Sequence, residues 1–121
     1  MFVMGTMRVW MTIKAGKSAR VSALVDTGAT FTVIPRALAR RIDLATFEGL
    51  KVKMADGRMR QLDRASALIT VAGRKVPATV LVTPNGGDIL LGAETLEALG
   101  MSVDPRRRRL KAVHSATVMA A

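Results

Sequence analysis

Apolar and polar residues alternate from the start of the chain: Met7, Val9, Met11 and Ile13 fall on one side, and Thr6, Arg8, Trp10, Thr12 and Lys14 on the other. A period of two predicts a β-strand over 6–14 with one buried face. Ala15-Gly16-Lys17 reads as a turn, Ala19 to Val25 as a returning strand and Phe31 to Ile34 as a short buried one, with Asp26-Thr27-Gly28-Ala29-Thr30 between them. Pro35 suits the first turn of a helix, where its fixed φ fits and no N–H is needed, and Arg36 to Ile42 supplies two turns. Further strands are predicted over Leu50–Met54 and Arg58–Val71, joined at Asp56-Gly57, a hairpin dipeptide because Gly tolerates positive φ. Gly73 marks the next turn, Val76–Thr83 is β-rich, Pro84-Asn85-Gly86-Gly87 is a loop and Ile89-Leu90-Leu91 a short buried run. Gly92 opens a second helix, Ala93–Leu99, which Gly100 stops. Val103–Val113 reads as a last hairpin turning at Asp104-Pro105-Arg106-Arg107, and 114–121 as a fraying tail. Short strands with one or two brief helices predict an all-β fold.

A weak internal repeat underlies this pattern. Moving the sequence by 57 sets Ala15-Gly16-Lys17 on Ala72-Gly73-Arg74, Leu24-Val25 on Leu81-Val82 and Val33-Ile34 on Leu90-Leu91 without a gap. Each half then reads strand, turn, strand, loop, short buried strand, helix, although conservative apolar matches also arise by chance between β segments. Asp26 falls on Thr83, so the acidic residue of the first half has no counterpart in the second.

Composition narrows the chemistry. The 121 residues fit one domain, with a core over about 6–112. Half of them are hydrophobic and only 3 % aromatic, so the core must be aliphatic, with the 8 methionines helping to fill it. The net charge of +10 favours an acidic partner or simply a self-repelling, soluble surface. With no cysteine and a single histidine, His114, there is neither a disulfide framework nor a thiol nucleophile nor a His-rich metal site. Carboxylate and hydroxyl chemistry remain, and no metal or cofactor is expected. No basic segment followed by an apolar one opens the chain, and no stretch approaches the roughly 18 apolar residues of a membrane span, so the expected setting is cytoplasmic, without a membrane partner.

The sharpest local feature is Leu24-Val25-Asp26-Thr27-Gly28-Ala29-Thr30, a carboxylate between an apolar strand and a Gly-containing turn. A bare Asp-Thr-Gly arises by chance in about one protein in thirty or forty of this length. Its plain meaning is a turn in which the carboxylate accepts backbone N–H groups. The wider context resembles the aspartic proteases, specifically the single-domain, retropepsin-like kind of retroviruses, retroelements and some microbial genomes. That resemblance runs over about 6–112. It is carried by the apolar pair before Asp26-Thr27-Gly28-Ala29, by Phe31-Thr32-Val33-Ile34-Pro35, by the hairpin at Asp56-Gly57 and by Leu90-Leu91-Gly92 before a helix.

The resemblance implies a closed or partly open β-barrel-like fold that is homodimeric, and an endopeptidase acting on extended protein or peptide segments. Asp26 is the implied catalytic residue, meeting Asp26 of a second copy at the two-fold axis because the chain supplies one such carboxylate. Thr27 would brace the two loops and Gly28 would let substrate backbone approach, the plain alternative for Thr27 being a local hydroxyl-to-backbone bond. Substrate contacts are assigned to Ala29 and Thr30, to the flap Met54-Ala55-Asp56-Gly57 and to Leu90; Val33, Ile34 and Val52 are either pocket walls or plain core. Three departures stand out: the flap lacks both a Gly-rich tip and a Tyr, Thr30 replaces the Asp of retroviral enzymes, and Ala93 replaces the Arg that follows their second Gly. The last two leave the ion-pair network near the dimer interface and the polar end of the substrate groove without the charged residues the resemblance would supply, and leave the dyad untouched.

Two other classes stay open. One is a dimeric peptide-binding or scaffold module of the same fold with weak catalysis. The other is a basic nucleic-acid binder centred on Arg106-Arg107-Arg108-Arg109. The scarcity of stacking aromatics and the placing of that run at a hairpin turn favour a solvated basic turn over a nucleic-acid partner.

Overall fold

The computed structural model describes residues 7–113; Thr6, His114 and the tail 114–121 lie outside the described residues. In chain order the elements are β1 (Arg8–Lys14), β2 (Ser18–Val25), β3 (Thr32–Pro35), α1 (Arg36–Arg41), β4 (Phe47–Lys53), β5 (Met59–Val71), β6 (Arg74–Thr83), β7 (Leu90–Leu91), α2 (Ala93–Ala98), β8 (Met101–Asp104) and β9 (Arg109–Ala112). Seven strands run in the order β1-β2-β7-β3-β6-β5-β4, and β1 also pairs with β5. That extra pairing closes six strands into a barrel and leaves β4 as an edge, while β8 and β9 form a separate ribbon.

Alternation along the strands decides what fills the barrel. Met11, Ile13, Ala23, Ile34, Ile69, Val80, Val82 and Leu91 are each at most 1 % exposed. Leu38 and Ala39 of α1 and Leu96 of α2 join the same cluster, so both helices press an apolar side onto the barrel. The core is aliphatic, as the composition requires. Trp10 is instead 58 % exposed, with the Arg20 guanidinium 4.4 Å from its ring centroid.

The internal repeat is structural. Adding 57 to α1 gives the bounds of α2. The parallel pair Leu24↔Leu90 of β2 and β7 maps onto Leu81↔Val33 of β6 and β3, and the antiparallel pair Val33↔Leu90 maps onto itself. The two halves are thus related by a pseudo-two-fold through the β3–β7 pair. They differ at their hairpin turns. Ala72 and Gly73 form a two-residue turn with φ of 49° and 80°, the type whose twist matches the flanking strands, whereas 15–17 is a three-residue turn whose Lys17 N–H donates to the Ile42 carbonyl at 2.9 Å.

Several boundaries differ from the pattern-based reading, each for a local reason. Pro35 ends β3 and caps α1 at φ −74°, ψ 155°, rather than lying in the helix, and β3 starts at Thr32 rather than Phe31. β4 begins at Phe47, ahead of the expected Leu50, because a bulge between those residues hides the period of two. The last hairpin begins at Met101, directly after Gly100 reverses the chain at φ 68°, and its turn includes Arg108 at φ 48°.

Ala72 occupies a left-handed conformation that favours Asn or Gly. Ala72→Asn is expected to stabilise the fold by about 0.5–1 kcal/mol, read as a higher urea midpoint at unchanged slope.

Candidate active site

Asp26 sits where β2 runs out and is held by main-chain bonds. Leu24 N–H donates to the Ile89 carbonyl at 2.8 Å and Asp26 N–H to the Leu91 carbonyl at 3.0 Å, zipping the end of β2 onto β7, while Val25 N–H donates to Met7 at 2.8 Å on the other side. The next residues close a tight turn: Gly28 N–H donates to Asp26 Oδ1 at 3.0 Å, and Ala29 N–H to the Asp26 carbonyl at 3.1 Å. One carboxylate oxygen is therefore anchored. Asp26 is half-buried, and Thr27, Gly28 and Thr30 are exposed. Among the described residues the Thr27 hydroxyl makes no hydrogen bond, so the local hydroxyl-to-backbone bond open to it is not formed.

The loop is fixed from behind by α2. Ala93 N–H donates to the Ala29 carbonyl at 2.8 Å and Glu94 N–H to the Thr30 carbonyl at 2.9 Å, so the first free amides of the helix bind the loop that carries Asp26. Beneath it, Thr32 and Thr95 are buried at 0 % and 1 % exposure, their hydroxyls 2.7 Å apart, and Gly92 N–H donates to Thr32 Oγ1 at 3.1 Å. A Cβ on Gly92 would lie 2.4 Å from the Phe31 carbonyl carbon, so no other residue permits this approach. Sequence reasoning passed over Thr32 and Thr95. Thr32 carried a signal, a hydroxyl inside the apolar run Phe31–Ile34 that needs a buried partner, whereas Thr95, flanked by Glu94 and Leu96-Glu97, carried none.

A charged pair lies between β1 and the segment before β7. Arg8 holds Asp88 by two bonds of 2.6 and 2.8 Å, and also donates to Ser22 Oγ at 2.9 Å and the Ser22 carbonyl at 3.0 Å. Asp88 Oδ1 in turn accepts Ile89 N–H at 2.8 Å, so the clamp ties β1 to the segment entering β7. The hydrogen bond from Arg8 holds the Asp88 carboxyl below its usual range.

The remaining predicted site residues divide into two groups. Leu90 pairs with both Leu24 and Val33, directly beside the Asp26 loop. Ile34 does not line this region; at 0 % exposure it is core, because the face shared by Val33 and Leu90 points the other way. Met54, Ala55, Asp56 and Gly57 form the tip of the β4–β5 hairpin. There Gly57 N–H donates to the Met54 carbonyl at 2.9 Å, Met54 N–H to Arg58 at 2.8 Å, and Gly57 has φ 85°. The Asp56 carboxylate accepts Arg58 N–H at 2.9 Å and so belongs to the turn itself. Among the described residues no hydrogen bond joins this tip to the Asp26 loop. Among them too, no group of three or more His, Asp or Glu comes together as a metal site, and no helix is long and apolar enough to cross a membrane.

Comparison with known proteins agrees with this geometry. The family described as "gag-polyprotein putative aspartyl protease" matches residues 12–98, more than half of the chain. Among solved structures, the EIAV protease complexed with the inhibitor HBY-793 superposes with a TM-score of 0.67 at 20 % identity, covering 83 % of this chain and 94 % of that one, which shows a shared retroviral-protease fold. No curated protein matches the sequence.

Two outcomes follow from the site's supports. Thr32→Val leaves Gly92 N–H and the Thr95 hydroxyl without a partner and is expected to cost about 2–4 kcal/mol in urea denaturation, against about 1 kcal/mol for Thr32→Ser. Because Asp88 titrates lower in the folded chain than in the unfolded one, its contribution is present above about pH 4 and lost as pH falls through the folded value. The stability gap between wild type and Asp88→Asn is therefore expected to be open at neutral pH and closed in strong acid; a gap that widened in acid would contradict the clamp.

Proposed function

This chain belongs to the gag-polyprotein aspartyl protease family, and on that premise we propose that it is a homodimeric aspartic endopeptidase that hydrolyses peptide bonds in extended segments of proteins. The observation that carries the proposal is the asymmetry of the repeat. Asp26 directly follows the strand β2 and Thr83 stands at the corresponding position on β6, so one chain presents one suitably placed carboxylate. Metal-free peptide hydrolysis without a covalent intermediate needs two groups, one to take a proton from water and one to give a proton to the substrate. A second copy supplies the second Asp26.

Two carboxylates brought within hydrogen-bonding range cannot both ionise at low cost and share one proton, the general behaviour of aspartic proteases. The ionised Asp26 accepts a proton from a bound water as its oxygen attacks the peptide carbonyl carbon, while the protonated Asp26 of the other chain donates to the carbonyl oxygen. The C–N bond then breaks as the nitrogen takes a proton from the first Asp26 and a hydroxyl of the tetrahedral intermediate gives one to the second, leaving a carboxylic acid and an amine, with one proton again on the pair. In this reading Thr27 contributes to the dimer contact, which its exposed hydroxyl, without a partner in its own chain among the described residues, supports. Gly28 admits substrate backbone, Ala29 and Thr30 flank it, and the hairpin tip 54–57 serves as the flap that closes over the peptide.

Purified protein is expected to cleave an unstructured polypeptide, to be inhibited by a statine-type transition-state mimic and to resist chelators. Asp26→Asn should lower turnover by at least about a thousandfold while the far-UV spectrum stays unchanged. Undiminished cleavage by Asp26→Asn would overturn the assignment.

A further inference from the structure

The side of the sheet turned away from the barrel core carries an ordered row of side chains. Leu24 of β2 is paired with Leu90 of β7, Leu90 with Val33 of β3, Val33 with Leu81 of β6, and Leu81 with Arg64 of β5. Directly paired residues share a face, and their chain neighbours Leu91, Ile34 and Val82, all at 0 % exposure, point the opposite way into the core. Leu24, Leu90 and Val33 are half-buried, whereas Leu81 is 2 % exposed, so the strip is open at its Asp26 end and covered just before Arg64. Leu24 precedes Asp26 by two residues. The row thus starts beside the carboxylate and ends at a guanidinium.

The same face continues along β5 toward the hairpin. Two residues before Arg64 lies Leu62, 2 % exposed and paired with Leu50, and two residues further lies Arg60, paired with Val52 of β4. Arg60 and Arg64 therefore bracket Leu62 on the strip that runs back to Asp26. Asp63, between them in sequence, points to the opposite face and is taken by Arg36 at 2.7 Å. Both arginines are exposed, and neither makes an ion pair among the described residues. Two unpaired cations on the face that carries the half-buried Leu24, Leu90 and Val33, beyond the covered Leu81, offer a carboxylate a charge-assisted hydrogen bond.

We infer that Arg60 and Arg64 set the specificity of this site by binding an Asp or Glu side chain of the extended substrate; the inference rests on the protease reading of Asp26. From Leu24 to Arg64 the row crosses four strand gaps of about 4.8 Å, at most about 19 Å along a curved sheet, and an arginine side chain reaches back several ångströms. At about 3.3 Å per residue of extended peptide, the selected acidic residue lies within about four positions of the scissile bond. Two-fold symmetry repeats the arginine pair, so the preference appears on both sides of the cut. Because the guanidinium groups are solvent-exposed, discrimination is about three- to tenfold and weakens as salt is raised.

The test uses peptides matched in sets of three, with Glu, Gln or Lys at each position flanking the cleaved bond, and two measurements. Cleavage by wild type is compared with cleavage by Arg60→Glu and Arg64→Glu, and binding of the same peptides is measured on Asp26→Asn with and without each reversal. The expected result is a preference of about three- to tenfold for Glu at one or more positions, reversed toward Lys by at least one of the two substitutions, in both measurements. Equal handling of Glu and Gln peptides, or a preference that both reversals leave unchanged, overturns the inference even while Asp26-dependent cleavage continues. If wild type does not cleave, the protease reading fails, and acidic preference in the binding measurement, lost on reversal, still supports the arginine pair.

Discussion

A Cβ at position 92 would lie 2.4 Å from the carbonyl carbon of Phe31, a separation that only glycine makes possible. This contact brings the start of α2 against the loop before β3, and the rest of the site follows from it. With the helix end in place, its first amides reach the carbonyls of Ala29 and Thr30, and Thr32 receives the Gly92 N–H within hydrogen-bonding distance of Thr95. Strand β7, only two residues long, is then held between β2 and β3, and its Leu91 carbonyl fixes the amide of Asp26. No buried side-chain polar atom among the described residues lacks a partner. A loop held by its own backbone in this way keeps a carboxylate in place without spending other charged groups on it.

The pseudo-two-fold explains both the economy of the fold and its incompleteness. One supersecondary unit is used twice, so β2–β7 and β6–β3 are equivalent pairs and α1 and α2 cover equivalent ground. A fold with two equivalent strand ends has two places for a carboxylate, and here the second holds Thr83, whose hydroxyl lies 3.1 Å from the Asn85 carbonyl and 3.4 Å from that of Ile34. The internal symmetry thus stops short of making a dyad. Symmetry between two chains restores it in the proposed dimer.

How much of this was legible in the sequence depended on the range of the interaction concerned. Period-two alternation gave β1, with Met11 and Ile13 inside, and the Asp56-Gly57 turn carried its own signal, realised as φ 85° at Gly57. The repeat of 57 was visible because it depends on spacing alone. The Arg8–Asp88 clamp joins residues 80 apart and could not be read from local pattern, nor could the pairing of Thr32 with Thr95, 63 apart. Ile34 was open to either reading because alternation separates Val33 from Ile34 but does not say which face is the core. The bulge before Leu50 concealed the start of β4 for a related reason: one inserted residue breaks the period on which the reading relies.

The dependence of activity on two copies of Asp26 is the claim that joins fold, symmetry and chemistry. It is tested most directly by mixing wild type with increasing amounts of Asp26→Asn, allowing subunits to exchange, and measuring cleavage at constant total protein. If each active unit needs an Asp26 from both chains, activity falls as the square of the wild-type fraction. Activity that falls in simple proportion to that fraction would show that one chain suffices and would contradict the account.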